Sequence, residues 1–384
     1  MEKIVIFGAG NVGRMVLEKN KNRVAYFIDN DVQLHGRTID GIVIKSVEDF
    51  IQDKDKYQLV IASYSQKMIE QQVIEMGVKN YRLFLNDIHG YYLTDELIFN
   101  PYKDNIMRNL TESRYNEITK NNLMADTINE EVERLYSNNP MFRHVEIETV
   151  NRCNGKCSFC PISVGNDNRK YKYMSDQLFE NIINQLSELN YSGKLALFSN
   201  NEPFLDKKIV NRHKYAREKV PKARMHLFTN GTLLTVELFQ EIIQYLDEMV
   251  IDNYDSDLKL IDPCKKISEY CDDHPELKKK VTIVLRNPNE ILSNRGGDAP
   301  NRSDTVYLEN VKCVLPFRQI IIRPDGKLSL CCCDPLGKNT MGDLNKETLI
   351  DIWQGSAYKK VREALYMGRK YWPHCSKCDY LGLA

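Results

Sequence analysis

Three cysteines lie within the eight residues of the segment "CNGKCSFC", and no fourth cysteine lies nearby. The spacing is C-x-x-x-C-x-x-C, with Cys153, Cys157 and Cys160 as the three thiols. A structural zinc ion normally has four Cys or His ligands, often as two C-x-x-C pairs, so this triplet fits such a site poorly. Thiolates are the usual ligands of iron–sulfur clusters. Because a cubane held by three thiolates keeps one iron open, we expect a cluster site that binds a further ligand.

Composition limits the classes of protein that this chain can belong to. Its 384 residues are 42% hydrophobic, which predicts a large core divided over two or three domains. Lys+Arg and Asp+Glu are both 53, so no overall basic field would attract nucleic acid or membrane lipid. Without a long apolar run or a signal-peptide pattern, the sequence predicts a cytoplasmic location. Thiols stay reduced there, so eleven cysteines indicate metal or cluster ligands or catalysis more than disulfides.

The sequence pattern divides the chain into four regions. Residues 1–85 begin with a strand, a glycine-rich turn and a helix, "KIVIFGAGNVGRMVLE", which predict a Rossmann-like βαβ domain. Residues 86–142 are polar and predict a helical linker. Residues 143–300 alternate strands with helices, and residues 301–384 are rich in cysteine and turns. The predicted fold class is α/β, with a parallel sheet or barrel in the third region.

The cysteine triplet follows the strand "HVEIET", the first of the third region. Functional residues of parallel barrels lie at the C-terminal ends of the strands. With Phe159 ahead of the last cysteine, this segment resembles the radical SAM superfamily. The resemblance implies a partial (β/α)6 barrel, a 4Fe–4S cluster on Cys153, Cys157 and Cys160, and S-adenosylmethionine (SAM) at the open iron.

Three further segments carry the same resemblance. "SNNEP" stands where the superfamily has G-G-E-P, with two asparagines in place of the glycines; "FTNGTLL" resembles its T-N-G turn, and "LSNRGG" its Arg-Gly loop. The resemblance implies that Glu202, Asn230 and Arg295 act in catalysis. On the residues alone, Asn230 equally suits an ordinary turn and Arg295 a solvated charge. The SAM-binding residues implied are Asn200, Asn201, Glu202, Asn230 and Gly231.

Residues 301–384 resemble the SPASM or twitch extension of this superfamily, which carries an auxiliary iron–sulfur cluster. The matching features are a single cysteine in "KCVLP", the G-x-x-x-x-C of "GKLSLC", and "CSKC". Two more cysteines, Cys332 and Cys333, follow directly, so the identity of the second ligand stays open. A zinc site on the same four thiolates is the alternative. The implied ligands of one auxiliary 4Fe–4S cluster are Cys313, Cys331, Cys375 and Cys378.

The N-terminal region contains G-x-G-x-x-G between a strand and a helix, formed by Gly8, Gly10 and Gly13, and Asp29 ends the next strand. This pattern is typical of dinucleotide sites, in which a pyrophosphate meets the helix N-terminus and the acid meets a ribose. The region is too short for both halves of such a domain. It resembles the small domain at the front of bacterial sugar acetyltransferases, which implies a sugar nucleotide. NAD and a docking module without ligand are the alternatives.

Together these features predict a radical SAM oxidoreductase, a dehydrogenase or an epimerase, acting on a carbohydrate or sugar nucleotide. The implied cofactors are SAM and two 4Fe–4S clusters, and the implied partners are a small-molecule or peptide substrate and an electron donor such as flavodoxin or ferredoxin. A maturase that modifies a ribosomal peptide is the first alternative. A non-catalytic iron–sulfur protein is the second.

Overall fold

The computed structural model of the protein describes residues 3–20, 22–63, 66–83, 97–100, 102, 122–138, 140–302, 308 and 311–381. The chain forms two compact units, Met1–Thr94 and Asp95–Ala384. Most of the linker predicted over residues 86–142 lies outside the described residues. The helix Asn122–Asn138 is its largest described part.

The first unit is a six-stranded sheet in the order β3-β4-β2-β1-β5-β6, parallel apart from β3. Its strands are β1 Ile4–Phe7, β2 Val24–Ile28, β3 Thr38–Ile39, β4 Ile42–Lys45, β5 Gln58–Ile61 and β6 Tyr81–Leu83. Its helices are Asn11–Lys19, Val47–Ile51 and Gln66–Glu75. All four residues of β1 are buried, as expected for a central parallel strand with an apolar core on each face.

The second unit contains a nine-stranded sheet in the order β15-β14-β13-β8-β9-β10-β11-β12-β7. The run from β13 to β7 is parallel, and β14 and β15 are antiparallel. Parallel strands joined by helices confirm the predicted α/β fold class. The strands are β7 Ile98–Phe99, β8 His144–Ile147, β9 Lys194–Ala196, β10 Arg224–Thr229, β11 Glu248–Tyr254, β12 Val281–Arg286, β13 Gln319–Ile322, β14 Lys327–Ser329 and β15 Thr340–Asp343.

Four strands of this sheet come from outside the region predicted to form it: β7 from the predicted linker, and β13, β14 and β15 from beyond residue 300. β13 lies beyond residue 300 and pairs with β8, and β7 lies within the predicted linker and pairs with β12. These pairings join segments that are distant in the sequence, which local periodicity does not reveal.

The helices of the second unit cover the sheet and bury their apolar faces. In the helix Asp176–Glu188, the Ser175 hydroxyl accepts the Leu178 N–H at 3.2 Å, which caps the N-terminus as its sequence predicts. The buried face is Phe179, Ile182, Ile183 and Leu186, and Leu178 and Leu189 are only partly buried at its margin. The other helices are Ile209–Lys219, Val236–Ile243, Asp262–Asp273, Leu349–Gln354 and Ser356–Met367. No described helix is long and apolar enough to cross a membrane.

Alternation along β8 separates a polar face from an apolar one. Val145 and Ile147 join the main hydrophobic core. His144 and Glu146 occupy the other face, where the Gln319 amide donates to the Glu146 carboxylate at 2.6 Å. The polar face continues beyond the end of β8, and the loops that follow β8, β9, β10 and β12 carry the predicted site residues.

Candidate functional site

The cysteine triplet lies in the loop that follows β8, around Gly155. The Gly155 N–H donates to the Cys153 sulfur at 3.3 Å. A Cβ on Gly155 would stand 3.2 Å from that sulfur and 3.9 Å from the Cys157 sulfur. The Cys160 thiol is close enough to act electrostatically on both. Two thiols therefore border a position without a side chain, and the third lies within electrostatic range of both, which fits a cluster site.

Burial raises the pKa of Cys153 and of Cys157 to about 12. Thiolates ligate metals, so cluster binding must displace these protons. Among the described residues, no three His, Cys, Asp or Glu side chains converge on one ion position. A cubane requires a wider arrangement, because each thiolate binds a different iron.

Glu202 connects the loops that follow β8, β9 and β10. Its N–H donates to the Arg152 carbonyl at 2.9 Å. One carboxylate oxygen accepts the Thr229 hydroxyl at 2.8 Å and the Phe204 N–H at 3.1 Å, and the other accepts the Asn230 N–H at 2.8 Å. Burial raises the pKa of Glu202 to about 7. In this arrangement the carboxylate fixes the turn at Asn230.

Asn230 connects this turn to the cysteine loop. Its amide nitrogen lies 3.7 Å from the Cys153 sulfur and donates to the Asn154 side chain at 2.8 Å. Gly231 has φ +72°, and a Cβ there would stand 2.7 Å from the Cys264 sulfur, so only glycine suits this turn. The structure thus brings Asn230 and Gly231 to the cysteine loop.

Arg295 bridges the loops that follow β9 and β12. Its Nη1 donates to the Asn200 side-chain oxygen at 3.1 Å and to the Cys332 carbonyl at 3.2 Å. The Asn200 amide donates to the same carbonyl at 3.2 Å. Arg295 has φ +52°, in the left-handed region that residues other than glycine seldom occupy. A solvated surface charge would not need this backbone conformation or these partners.

Three cysteine thiols act electrostatically on the Arg295 guanidinium. Burial lowers its pKa, but neighbouring thiols outweigh burial and raise the pKa above its ordinary value. These thiols belong to Cys160, of the triplet, and to Cys332 and Cys333, which follow Cys331.

Two buried polar atoms in this region have no hydrogen-bond partner among the described residues, Asn201 Nδ2 and Glu148 Oε2. Asn201 Oδ1 accepts the Ser199 N–H at 2.9 Å, and Glu148 Oε1 accepts the Asn200 N–H at 2.9 Å. Buried polar atoms without a hydrogen-bond partner are typical of a site in which a bound ligand supplies the partner. Glu148 was missed from the sequence, although alternation in "HVEIET" places it on the polar face with Glu146.

The predicted auxiliary ligands come together from three segments. Burial raises the pKa of Cys313 to about 12, and the Cys331 and Cys378 thiols act on it. Burial, together with the thiols of Cys313, Cys331 and Cys378, also raises the pKa of Cys375. Four thiols within mutual range fit a cluster held entirely by the protein.

Cys332 and Cys333 differ in their surroundings. The Cys333 thiol is hydrogen-bonded to those of Cys331, Cys332 and Cys378, so it lies beside the auxiliary set. Cys332 is partly exposed. Its carbonyl accepts from Arg295, and its N–H donates to Gln319 at 3.3 Å.

The glycine motif of the first unit spans the turn after β1 and the start of the helix Asn11–Lys19. Gly8 has φ +114°, and a Cβ on Gly13 would stand 1.9 Å from the Gly8 carbonyl oxygen, so both positions require glycine. A Cβ on Gly10 would have no described atom within 4 Å. The Asp29 oxygens accept the Ala9 N–H at 2.7 Å and the Asp31 N–H at 2.9 Å, so this carboxylate holds the loop.

Family models match three parts of the chain. The radical SAM superfamily matches residues 147–273, and the SPASM iron–sulfur cluster-binding domain matches residues 313–379. A family described as C2185-like, N-terminal, matches residues 1–84.

A curated relative and a crystal structure are similar to this chain. The S-adenosyl-L-methionine-dependent 2-deoxy-scyllo-inosamine dehydrogenase of Niallia circulans is 26% identical over 230 residues, which are 60% of this chain and 89% of the relative. The crystal structure of BtrN in complex with AdoMet and 2-DOIA is 25% identical, with a TM-score of 0.54. The match covers 63% of this chain and 94% of that one. The chain therefore contains a radical SAM domain, matched over residues 147–273, and a C-terminal SPASM domain, matched over residues 313–379.

Proposed function

We propose that the protein is a radical SAM dehydrogenase that oxidises a hydroxyl group of a carbohydrate or cyclitol to a ketone. The proposal is supported by the similar dehydrogenase, whose name specifies an aminocyclitol substrate. We further propose that the substrate is a small molecule and that the protein acts in the cytoplasm. No described helix could span a membrane.

The position of Arg295 carries this proposal. The guanidinium donates to the Cys332 carbonyl, next to the predicted auxiliary ligand Cys331, and lies within electrostatic range of Cys160 of the triplet. A hydroxyl held there would be adjacent to both predicted clusters. Guanidinium groups stay charged and donate several hydrogen bonds in one plane, which suits a substrate with neighbouring hydroxyl groups.

When bound, SAM and its cluster supply a 5′-deoxyadenosyl radical, and the auxiliary cluster can take the electron left by a two-electron oxidation. The protein must hold one C–H bond in position and exclude other hydrogen donors. We assign cluster binding to the two cysteine sets and substrate positioning to Arg295 and Asn200. Asn201, Glu202, Asn230 and Gly231 form the proposed SAM site. A low-potential one-electron protein, such as flavodoxin or ferredoxin, is the proposed reductant.

Cys332 supports epimerisation as a second outcome. Its thiol acts on Arg295 and is partly exposed, unlike those of Cys264 and Cys271, which are buried in the helix Asp262–Asp273. A thiol beside a substrate radical would return a hydrogen atom from the opposite face, which leaves the substrate mass unchanged. The thiyl radical that remains would take one electron from the proposed reductant, by way of the auxiliary cluster, and one proton from solvent.

Anaerobic reconstitution followed by mass spectrometry separates these outcomes. The enzyme is incubated with SAM, a reductant and a panel of aminocyclitols, sugars and sugar nucleotides. A dehydrogenase gives a product about 2 Da lighter, with one 5′-deoxyadenosine per product, because two hydrogens leave. An epimerase working in D2O gives a product about 1 Da heavier, because the thiol exchanges with solvent. Reaction only with peptides from cell extracts would contradict the carbohydrate proposal and favour the maturase.

For the first unit, we propose that the loop at Gly10 receives the diphosphate of a sugar nucleotide. The open space at this glycine and the N-terminus of the helix Asn11–Lys19 support the proposal. Each Asp29 oxygen accepts one backbone N–H, and a carboxylate oxygen accepts more than one hydrogen bond, so a ribose contact by this side chain stays part of the proposal.

A further inference from the structure

The chain folds back beside the cluster cysteines between Val164 and Tyr173. Val150 and Tyr173 form an antiparallel bridge. The Asn151 side chain accepts the Lys172 N–H and donates to the Lys170 carbonyl, both at 2.9 Å. These contacts hold the returning segment against the residues that lead from β8 into the cysteine loop.

This segment exposes three large apolar or aromatic side chains. Val164 is 58% exposed, and Tyr171 and Tyr173 are each 47% exposed. The Val164 N–H donates to the Gly155 carbonyl at 3.0 Å, and the Gly155 N–H donates to the Cys153 sulfur at 3.3 Å. An exposed side chain is therefore two hydrogen bonds away from a predicted cluster ligand.

The same part of the chain is strongly basic. Residues 152–173 contain five Lys or Arg and a single acid, Asp167, which gives a net charge of +4 (5 − 1) in a chain whose net charge is zero. Asp167 is almost fully buried and paired with Arg152 at 3.0 Å and Arg169 at 2.9 Å. The exposed cations are Lys156, Lys170 and Lys172.

Acids next to this segment are also neutralised within the fold. Asp176 pairs with Lys208 at 2.5 Å and with Arg212 at 3.2 Å. Arg212 also pairs with Asp206 at 3.0 Å. The positive potential of the exposed lysines is thus not cancelled by these carboxylates.

We propose that this basic surface, formed by Lys156, Val164, Lys170, Tyr171, Lys172 and Tyr173, docks a small acidic protein that carries single electrons to the cluster. The inference rests on the proposed function, which requires such a reductant. Most clusters of charge are only solvated. Here the charges surround exposed tyrosines, a residue type enriched at protein interfaces. Positive charge steers an acidic partner to the surface, and a small contact area lets it leave after transfer.

Charge reversal tests the surface. In the holoenzyme, Lys170→Glu with Lys172→Glu changes the net charge by −4, and Lys219→Glu with Lys222→Glu changes it equally. The control lysines are exposed and lie at and just after the end of the helix Ile209–Lys219, before the start of β10. They are therefore at the N-terminal ends of the parallel strands, opposite the end that carries the cysteine loop. Binding of a purified flavodoxin is measured by calorimetry at low and high salt.

We expect the Lys170/Lys172 variant to bind flavodoxin more than about tenfold more weakly at low salt, and the Lys219/Lys222 variant to stay within about twofold of wild type. Added salt should weaken wild-type binding and reduce the difference, because surface charges are screened. Equal losses in both variants would contradict the proposal. So would unchanged flavodoxin binding together with a loss of self-association in sedimentation, which would assign the surface to a contact between two copies.

The rate of SAM cleavage without carbohydrate substrate is a second test of the docking surface. With flavodoxin as reductant, the Lys170/Lys172 variant should form 5′-deoxyadenosine more than about tenfold more slowly at limiting flavodoxin. With dithionite, which needs no docking surface, its rate and iron content should match wild type. A comparable loss with dithionite would show damage to the cluster site and overturn the proposal. This measurement uses no carbohydrate substrate. The docking proposal and the proposed carbohydrate oxidation can therefore be contradicted independently of each other.

Discussion

Arg295 Nη1 and Asn200 Oδ1 are joined by a 3.1 Å hydrogen bond that connects the loop after β12 to the loop after β9. Both side chains also bond to the Cys332 carbonyl, next to the auxiliary cysteines. The bond therefore joins the two halves of the proposed substrate site.

The first prediction concerns this arginine. Arg295→Gln should lower kcat/KM for substrate oxidation by about a hundredfold or more, because a charged planar donor is lost. Iron content and substrate-free SAM cleavage should stay near wild type. Arg295→Lys should recover only part of the activity, and Lys214→Gln, at an exposed position on the helix Ile209–Lys219, is the surface control. Unchanged substrate oxidation in Arg295→Gln would contradict the assigned role.

The second prediction concerns the cluster triplet. Reconstituted protein should hold about eight irons if both sites are cubanes. Replacing Cys153, Cys157 and Cys160 together by Ala should remove about half of this iron and all SAM cleavage, while leaving the auxiliary absorption. Iron analysis and chromatography of 5′-deoxyadenosine measure the two effects. Continued 5′-deoxyadenosine formation by the triple variant would show that the triplet is not the radical-generating site.

The third prediction distinguishes the three adjacent cysteines. Cys331→Ala should lose the auxiliary cluster, since the Cys331 thiol acts on Cys313 and Cys375. Cys332→Ala should keep its iron, because Cys332 is partly exposed, unlike the four predicted ligands, which are buried. Cys333 lies beside Cys331, so Cys333→Ala is the stringent comparison, and we expect it to retain most of the cluster. Mössbauer spectroscopy counts the clusters, and equal iron loss from all three variants would refute the choice of Cys331.

The fourth prediction concerns pH and stability at Glu148. Burial raises its pKa to about 7, against the opposing effects of Arg169, Arg323 and the Asn200 N–H, while Asp167 adds to the rise. A group whose pKa is higher in the folded state than in the unfolded state stabilises the folded protein. This contribution is complete below the unfolded-state pKa and is lost as the pH rises through the folded-state pKa. Wild type should therefore lose stability between about pH 4.5 and 7 through this group.

Glu148→Gln removes the titration and keeps an acceptor for the Asn200 N–H. Relative to wild type, the variant should gain stability from pH 5 to pH 8, by an amount of the order of 3 kcal/mol. Thermal unfolding at several pH values measures the effect, with exposed Glu180→Gln as the control. The idea fails if Glu148→Gln and Glu180→Gln follow the same pH profile.

The fifth prediction tests the first unit. Gly10→Val should weaken binding of UDP-, GDP- or dTDP-linked sugars to the full-length protein, because a side chain would fill the approach to the backbone. Iron content and substrate-free SAM cleavage should not change. Calorimetry measures the affinity. If wild-type protein binds none of these sugars, the proposed ligand is wrong and a docking role for this unit becomes the better interpretation.

The sequence was most informative where chemistry depends on residue type and local spacing. The two cysteine sets in their order predicted a radical SAM protein with a SPASM domain, which the family models confirm. The cap that Ser175 provides depends on local spacing in the same way, because it involves residues three positions apart.

Features that depend on long-range pairing could not be predicted. The sequence did not reveal that β13 lies beside β8, because loop length does not specify the partner of a strand. Glu148 was missed for the same reason, since its burial depends on Asn200 and on segments far along the chain.

The left-handed backbone at Arg295 has a consequence for engineering. Side chains other than glycine are strained there by about 1 kcal/mol or more, with asparagine better tolerated than most. A redesign that ranks substitutions by folding stability alone would therefore replace this arginine early. The resulting protein would survive heating better and fail to turn over its substrate, so libraries built for thermal tolerance should hold position 295 constant.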